Sequence, residues 1–231
     1  MKVLFSVLIF LASVSVANAT EVVATWDDAA QALAGWQGVA VGNSLVYHDT
    51  EGNPGGYIEA YGNFNSGISS NQQDFTGNFS EKNYNRILID IKPIMVAVAA
   101  CKPGVYLRYS ASFAAWKYIL NNFTNTAGAW QHFEVNFNPA WTDAEAQANG
   151  WSLEEGPAKS FAETMAHVGS VAVKIKYISN AAAYIGYDNF TLKYVAPPAT
   201  KSIGQVSGSK TKQIIPSSVL GTKNTQTQGK K

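Results

Sequence analysis

Gly56-Tyr-Ile-Glu-Ala-Tyr-Gly62 alternates strictly, so on an extended strand Tyr57, Glu59 and Tyr61 share one face. Aromatic rings stack on the C–H faces of a polyhydroxylated ligand, and planar polar groups reach its hydroxyls. Three further rows offer aromatic or polar side chains on one strand face each: Tyr106 with Arg108, Lys117 with Asn121, and His132 with Glu134. Rows on neighbouring strands that share a face would make a polar, aromatic platform. Trp116, at the start of an expected strand, is the candidate exposed ring, whereas Trp26, Trp36, Trp130, Trp141 and Trp151 are assigned to the core.

Catalytic patterns are missing. The chain has no G-x-S-x-G elbow, no H-E-x-x-H and no phosphate loop. Its three histidines, His48, His132 and His167, are scattered. Glu59 and Glu134 are the carboxylates that could serve glycoside hydrolysis, if the fold brought them together. Cys101 is the only cysteine, which excludes an intrachain disulfide; it follows a small apolar run and reads as a buried thiol.

The elements that must hold these rows are short strands separated by turn residues. Arg86–Ile91, Val105–Ser110, Trp116–Phe123, Trp130–Phe137, Val171–Tyr177 and Tyr184–Val195 all read as extended, with the Val105 and Trp116 segments forming a hairpin. Short helices are expected over Asp27–Leu33, Thr142–Ala148 and Ser160–Val168; Ser160 and Glu163 form a capping-box pattern. No βαβ alternation occurs. The expected fold is all-β: an antiparallel β-sandwich (jelly roll) with one or two short helices and a disordered C-terminal tail.

Residues 1–19 have the form of a signal peptide: Lys2, an apolar run, and Ala17-Asn-Ala19 at the cleavage site. Residues 20–195 are then the domain and 196–231 a polar basic tail. The domain holds ten basic against sixteen acidic residues, and the tail carries six lysines and no acid. A mildly acidic domain is a poor nucleic-acid binder, and no membrane span remains once the leader is removed. Of the Asn-x-Ser/Thr sequons at Asn78, Asn122 and Asn189, the last lies inside an expected strand.

The order Trp36, Gly52-Asn-Pro-Gly-Gly-Tyr-Ile58, Phe75-Thr-Gly-Asn-Phe79 and Ile185-Gly-Tyr-Asp-Asn-Phe190 resembles laminin-B-like (laminin domain IV) modules and, more broadly, galactose-binding-like jelly rolls of exported bacterial proteins. The resemblance spans about Trp26 to Tyr194. It implies a jelly-roll sandwich that binds or builds surfaces rather than catalyses. It also implies a structural calcium ion, with Asp188 as anchoring ligand and Asp27, Asp28 and Asp49 as partners. The resulting expectation is a secreted, extracellular, periplasmic or cell-surface module that binds a glycan or polysaccharide without cleaving it. A structural matrix protein and a polysaccharide-acting enzyme are the alternatives.

Overall fold

The structure is a computed structural model, and it describes residues 21–29, 33–40, 43–63, 65–96, 101–110, 112, 114–154, 156, 158–176 and 182–196. The leader, the tail after Ala196 and the middle of the Asp27–Leu33 segment lie outside the described residues, as does most of the Val96–Ala100 run.

Among the described residues, twelve strands form two six-stranded sheets. The first holds β1 (Glu21–Ala24), β3 (Ser44–His48), β4 (Tyr57–Asn63), β6 (Arg86–Val96), β9 (Gln131–Asn136) and β12 (Ala182–Lys193). Their order is β3-β4-β12-β6-β9, with β1 also paired to β12. The second holds β2 (Trp36–Gly38), β5 (Asn65–Ser70), β7 (Pro103–Tyr109), β8 (Ala115–Ile119), β10 (Trp151–Leu153) and β11 (Val168–Lys176), in the order β10-β8-β7-β11-β5-β2. The pairings within both sheets are antiparallel. This is the expected β-sandwich of jelly-roll type.

Alternation explains the packing. Ile87, Ile89 and Ile91 of β6, Phe133 and Val135 of β9, and Ile58 and Ala60 of β4 point inward from the first sheet. Val105 and Leu107 of β7, with Val171, Val173 and Ile175 of β11, meet them from the second. Residues between them in sequence project from the two outer faces. The expected hairpin forms, with Leu107 opposite Trp116, but β8 stops at Ile119. Leu120 and Phe123 beyond it are buried.

Both described helices start where their caps predict. In α1 (Asp143–Ala148) the Thr142 hydroxyl accepts from Glu145 N, and the Glu145 carboxylate accepts from Thr142 N at 2.8 Å. In α2 (Phe161–Ala166) Ser160 caps Glu163 N, but Glu163 pairs instead with Lys159 at 2.8 Å, so half of the expected box forms. Cys101 is half-buried rather than enclosed, and desolvation pushes its thiol pKa up.

Candidate functional site

The outer face of the first sheet is built by register. Across the strands, His48 of β3 lies opposite Tyr57 of β4, Val46 opposite Glu59, and Ser44 opposite Tyr61. On the next strand, Tyr61 lies opposite Tyr184 of β12 and Glu59 opposite Gly186. β6 then brings Met95 opposite Tyr184 and Lys92 opposite Gly186. His132 of β9 follows, opposite Asp90.

Two zones result. In one, the rings of Tyr61 and Tyr184 stack with centroids 4.4 Å apart, and both are half-exposed. Val46 and Met95, both exposed, border them. Beside this pair the Glu59 carboxylate takes His48 Nε2 at 2.9 Å.

In the other zone Tyr57 lies on the outer face but is only 4% exposed. Gly186 makes room for it: a Cβ there would meet the Tyr57 ring at 3.0 Å. His48 stacks on Tyr57 at 4.4 Å, Trp130 meets it edge-on at 5.5 Å, and the Lys92 ammonium sits 4.0 Å from its centroid. Lys92 is also 4.9 Å from the Trp130 ring and donates to the Glu51 carbonyl at 3.0 Å. The Trp130 indole donates to the same carbonyl at 3.0 Å. Tyr57 is therefore a buried support, not an open stacking ring.

The segment between His48 and Tyr57 is tied down on this face. Asn53 N donates to Asp188 Oδ2 at 2.6 Å, and Asn53 Nδ2 donates to Asp90 Oδ2 at 3.1 Å. Asn189 Nδ2 donates to Asp90 Oδ2 at 2.7 Å and to the Asn53 carbonyl. Asp90 Oδ1 takes His132 Nδ1 at 2.6 Å, leaving the rest of that imidazole in solvent. Asp188 is wholly buried; desolvation, helped by the charges of Asp27 and Asp90, pushes its carboxyl up to about 6 against the pull of two backbone amides.

The other expected rows fall elsewhere. Tyr106, Arg108 and Lys117 project from the outer face of the second sheet, since Tyr106 lies opposite Lys117 and Arg108 opposite Ala115, out of phase with inward Val105 and Leu107. Asn121 follows β8 in a turn, where its carbonyl accepts from Lys102. Tyr106 is buried beneath Lys174, 4.2 Å from its ring, and Lys174 pairs with Glu154 at 3.3 Å. That burial pushes the Tyr106 phenol far up. The four rows thus divide between opposite faces and make no single platform.

Two tryptophans exchange roles. Trp116 is 1% exposed and faces the core, packed edge-on against Phe161 at 5.2 Å with its indole on the Lys159 carbonyl at 3.0 Å. Trp130 is the ring on the outer face. Its parity with His132 and Glu134 was the available signal. Likewise Lys92 and Asp90 alternate against Ile87, Ile89 and Ile91, and Tyr184 against Ile185.

Glu134 lies on the first sheet's outer face but pairs with Arg86 at 3.0 Å. It is three strands and about four residues along the sheet from Glu59, roughly 19 Å at ordinary strand spacings. Glycosidase carboxylates stand about 5–9.5 Å apart, so this pair cannot act on one bond.

Two of the residues expected to hold calcium already accept hydrogen bonds. Both oxygens of Asp188 accept amide hydrogens, from Asn53 and Asn189, and Asp27 Oδ1 accepts from Gly56 N at 3.3 Å. Asp28 and Asp49 are exposed. Among the described residues no group of three or more His, Cys, Asp or Glu stands at metal-holding spacing.

No family model and no curated protein matches the chain. Among solved structures it is similar to the family 11 carbohydrate-binding module of a cellulosomal cellulase of Clostridium thermocellum, at 15% identity and TM-score 0.47, covering 72% of this chain and 91% of that one. It is similar to a C-terminal family 22 carbohydrate binding module from the same organism, at 8% identity and TM-score 0.44, covering 74% and 92%. It is also similar to the K1 cleaved adhesin domain of Lys-gingipain from Porphyromonas gingivalis, at 14% identity and TM-score 0.40, covering 77% and 99%. The laminin-B-like part of the expectation finds no support in these likenesses, and likenesses this distant assign no ligand to this chain.

Proposed function

We propose that the outer face of the first sheet binds an extended glycan outside the cytoplasm without cleaving it. One observation carries this reading: the half-exposed Tyr61–Tyr184 stack stands in register beside the Glu59–His48 pair. Rings offer a stacking surface for sugar C–H faces, and the pair offers an acceptor and a donor to ring hydroxyls. Trp130 and His132 extend the row across the sheet, so the face is long enough for several sugar units rather than one.

Binding without hydrolysis follows from the carboxylates. Glu59 is held by His48, Asp90 by His132 and two asparagine amides, and Glu134 by Arg86. Glu59 and Glu134 stand far apart, and Asp90 and its register neighbour Asp188 are bridged by the amides of Asn53 and Asn189. The leader-like residues 1–19 support action outside the cytoplasm. Among the described residues no helix is long and apolar enough to cross a membrane.

A polysaccharide panel tests this by affinity electrophoresis. At least one polymer should retard the protein, and Tyr184→Ala should remove most of the retardation. Retardation that survives Tyr61→Ala and Tyr184→Ala together would move the site off this face.

A further inference from the structure

The outer face of the first sheet carries a sulfur whose chemistry glycan binding leaves unused. Met95 of β6 is 43% exposed and stands opposite Tyr184 in register. A bulge puts it there. Lys92 pairs with Gly186 and Pro93 with Ile185, so simple alternation would set Ile94 beside Tyr184; instead the register slips by one residue and Met95 takes that place. Side chains directly opposite on neighbouring strands have Cβ atoms about 4.5–5.5 Å apart. The thioether therefore borders the Tyr61–Tyr184 stack, and thioethers favour the neighbourhood of aromatic rings.

The other sulfurs of the described residues are less open to an oxidant. Met165 is wholly enclosed in the core. Cys101 is half-buried, and the desolvation that raises its thiol pKa keeps it in the less reactive protonated form. Exposure thus singles out Met95, and its register places it where a change of polarity meets the ligand.

We propose that Met95 is an oxidation site that controls this face: hydrogen peroxide converts its thioether to the sulfoxide, and the sulfoxide weakens glycan binding. The inference rests on the reading of the first sheet's outer face as the glycan site. In the step, a sulfur lone pair attacks one peroxide oxygen; the S–O bond forms as the O–O bond breaks. Sulfur gives up two electrons, the peroxide is reduced, and its second oxygen leaves as water carrying both protons. An apolar sulfur sheds its water at no polar cost under a sugar's C–H face. The dipolar sulfoxide oxygen must be desolvated there, which opposes binding. Enzymatic reduction of the sulfoxide restores the thioether, so the change is reversible.

The test is mild hydrogen peroxide treatment of the full chain, followed by peptide mass mapping and by affinity electrophoresis on the polymer that most retards the untreated protein. Met95 should gain one oxygen at least about tenfold faster than Met165, and affinity should fall at least about threefold with no change in melting temperature. Methionine sulfoxide reductase should restore the retardation. Met95→Leu, whatever retardation it starts with, should lose the response to peroxide, and Cys101→Ser should keep it. Unchanged or stronger retardation once Met95 is fully oxidised overturns the inference and leaves the glycan face standing. So does a peroxide response that survives in Met95→Leu, or equal oxidation of Met95 and Met165. Absence of retardation in the untreated protein overturns the face itself, and this inference with it.

Discussion

The two outer faces of this sandwich start from the same strand pattern and end in different states. On the first sheet, Tyr61 and Tyr184 stay half-open beside a His–Glu pair. On the second, Tyr106 carries the same alternation but lies buried under the Lys174–Glu154 pair. Alternation fixes which residues leave the core. It does not decide whether a neighbouring strand then covers them. Here Gly186 leaves a gap that Tyr57 fills, whereas Lys174 and Glu154 close over Tyr106.

The largest effect should come from the residue that belongs to neither face. Trp116→Ala removes a fully enclosed ring between Leu107, Leu153 and Phe161, and should cost about 3–5 kcal/mol, read as a fall in the denaturant midpoint. A mild effect would return Trp116 to the surface and break the assignment of faces. Next, Tyr184→Ala should lower polysaccharide affinity about tenfold or more with little loss of stability. Tyr106→Ala should do the reverse, since its ring is buried and outside the proposed site. If Tyr106→Ala removed binding and Tyr184→Ala did not, the working face would be the second sheet.

Acid titration sharpens the contrast further, because the first face buries a carboxyl held near 6. The folded protein keeps the Asp188 proton up to about pH 6, and the unfolded chain releases it near 4. Between those values the folded state binds more protons, so this group's contribution to stability falls as pH rises from about 4 to about 6. It is then flat above. The span is roughly 3 kcal/mol, and Asp188→Asn should remove it from the pH dependence of the urea midpoint. Calcium bound at Asp188 and Asp27 would erase the same slope and raise the melting temperature over that in EDTA; identical melting with and without the ion leaves amides as the partners. The smallest effect is Glu134→Gln, which removes a partly exposed pair with Arg86 and should cost under about 1 kcal/mol without changing binding.

Much of the architecture could be read from the residues. The isoleucines of β6, the alternation of β9 and β11, and the caps at Thr142 and Ser160 placed strands and helices close to where they lie. The site was harder, for two physical reasons. Sheet membership depends on long-range pairing, so Tyr57 and Tyr106 looked equivalent. Parity also constrains neighbours: Trp116 and Lys117 cannot both point outward from one strand, and Lys117 pairs with outward Tyr106. Applied from Trp130 through His132, the same rule selects the ring that does face solvent. Nothing local in sequence announces that Lys92 is buried between two rings, because that depends on Trp130, thirty-eight residues later.

β12 is the last strand among the described residues and lies inside the first sheet, with β4 and β1 on one flank and β6 on the other. A growing polypeptide that has not yet delivered Ala182 to Lys193 leaves all three of those partners with bare edges and leaves Asn53 without the carboxylate of Asp188. This layer cannot close until residues 182–193 have been made, so its folding couples segments more than 150 residues apart in the chain.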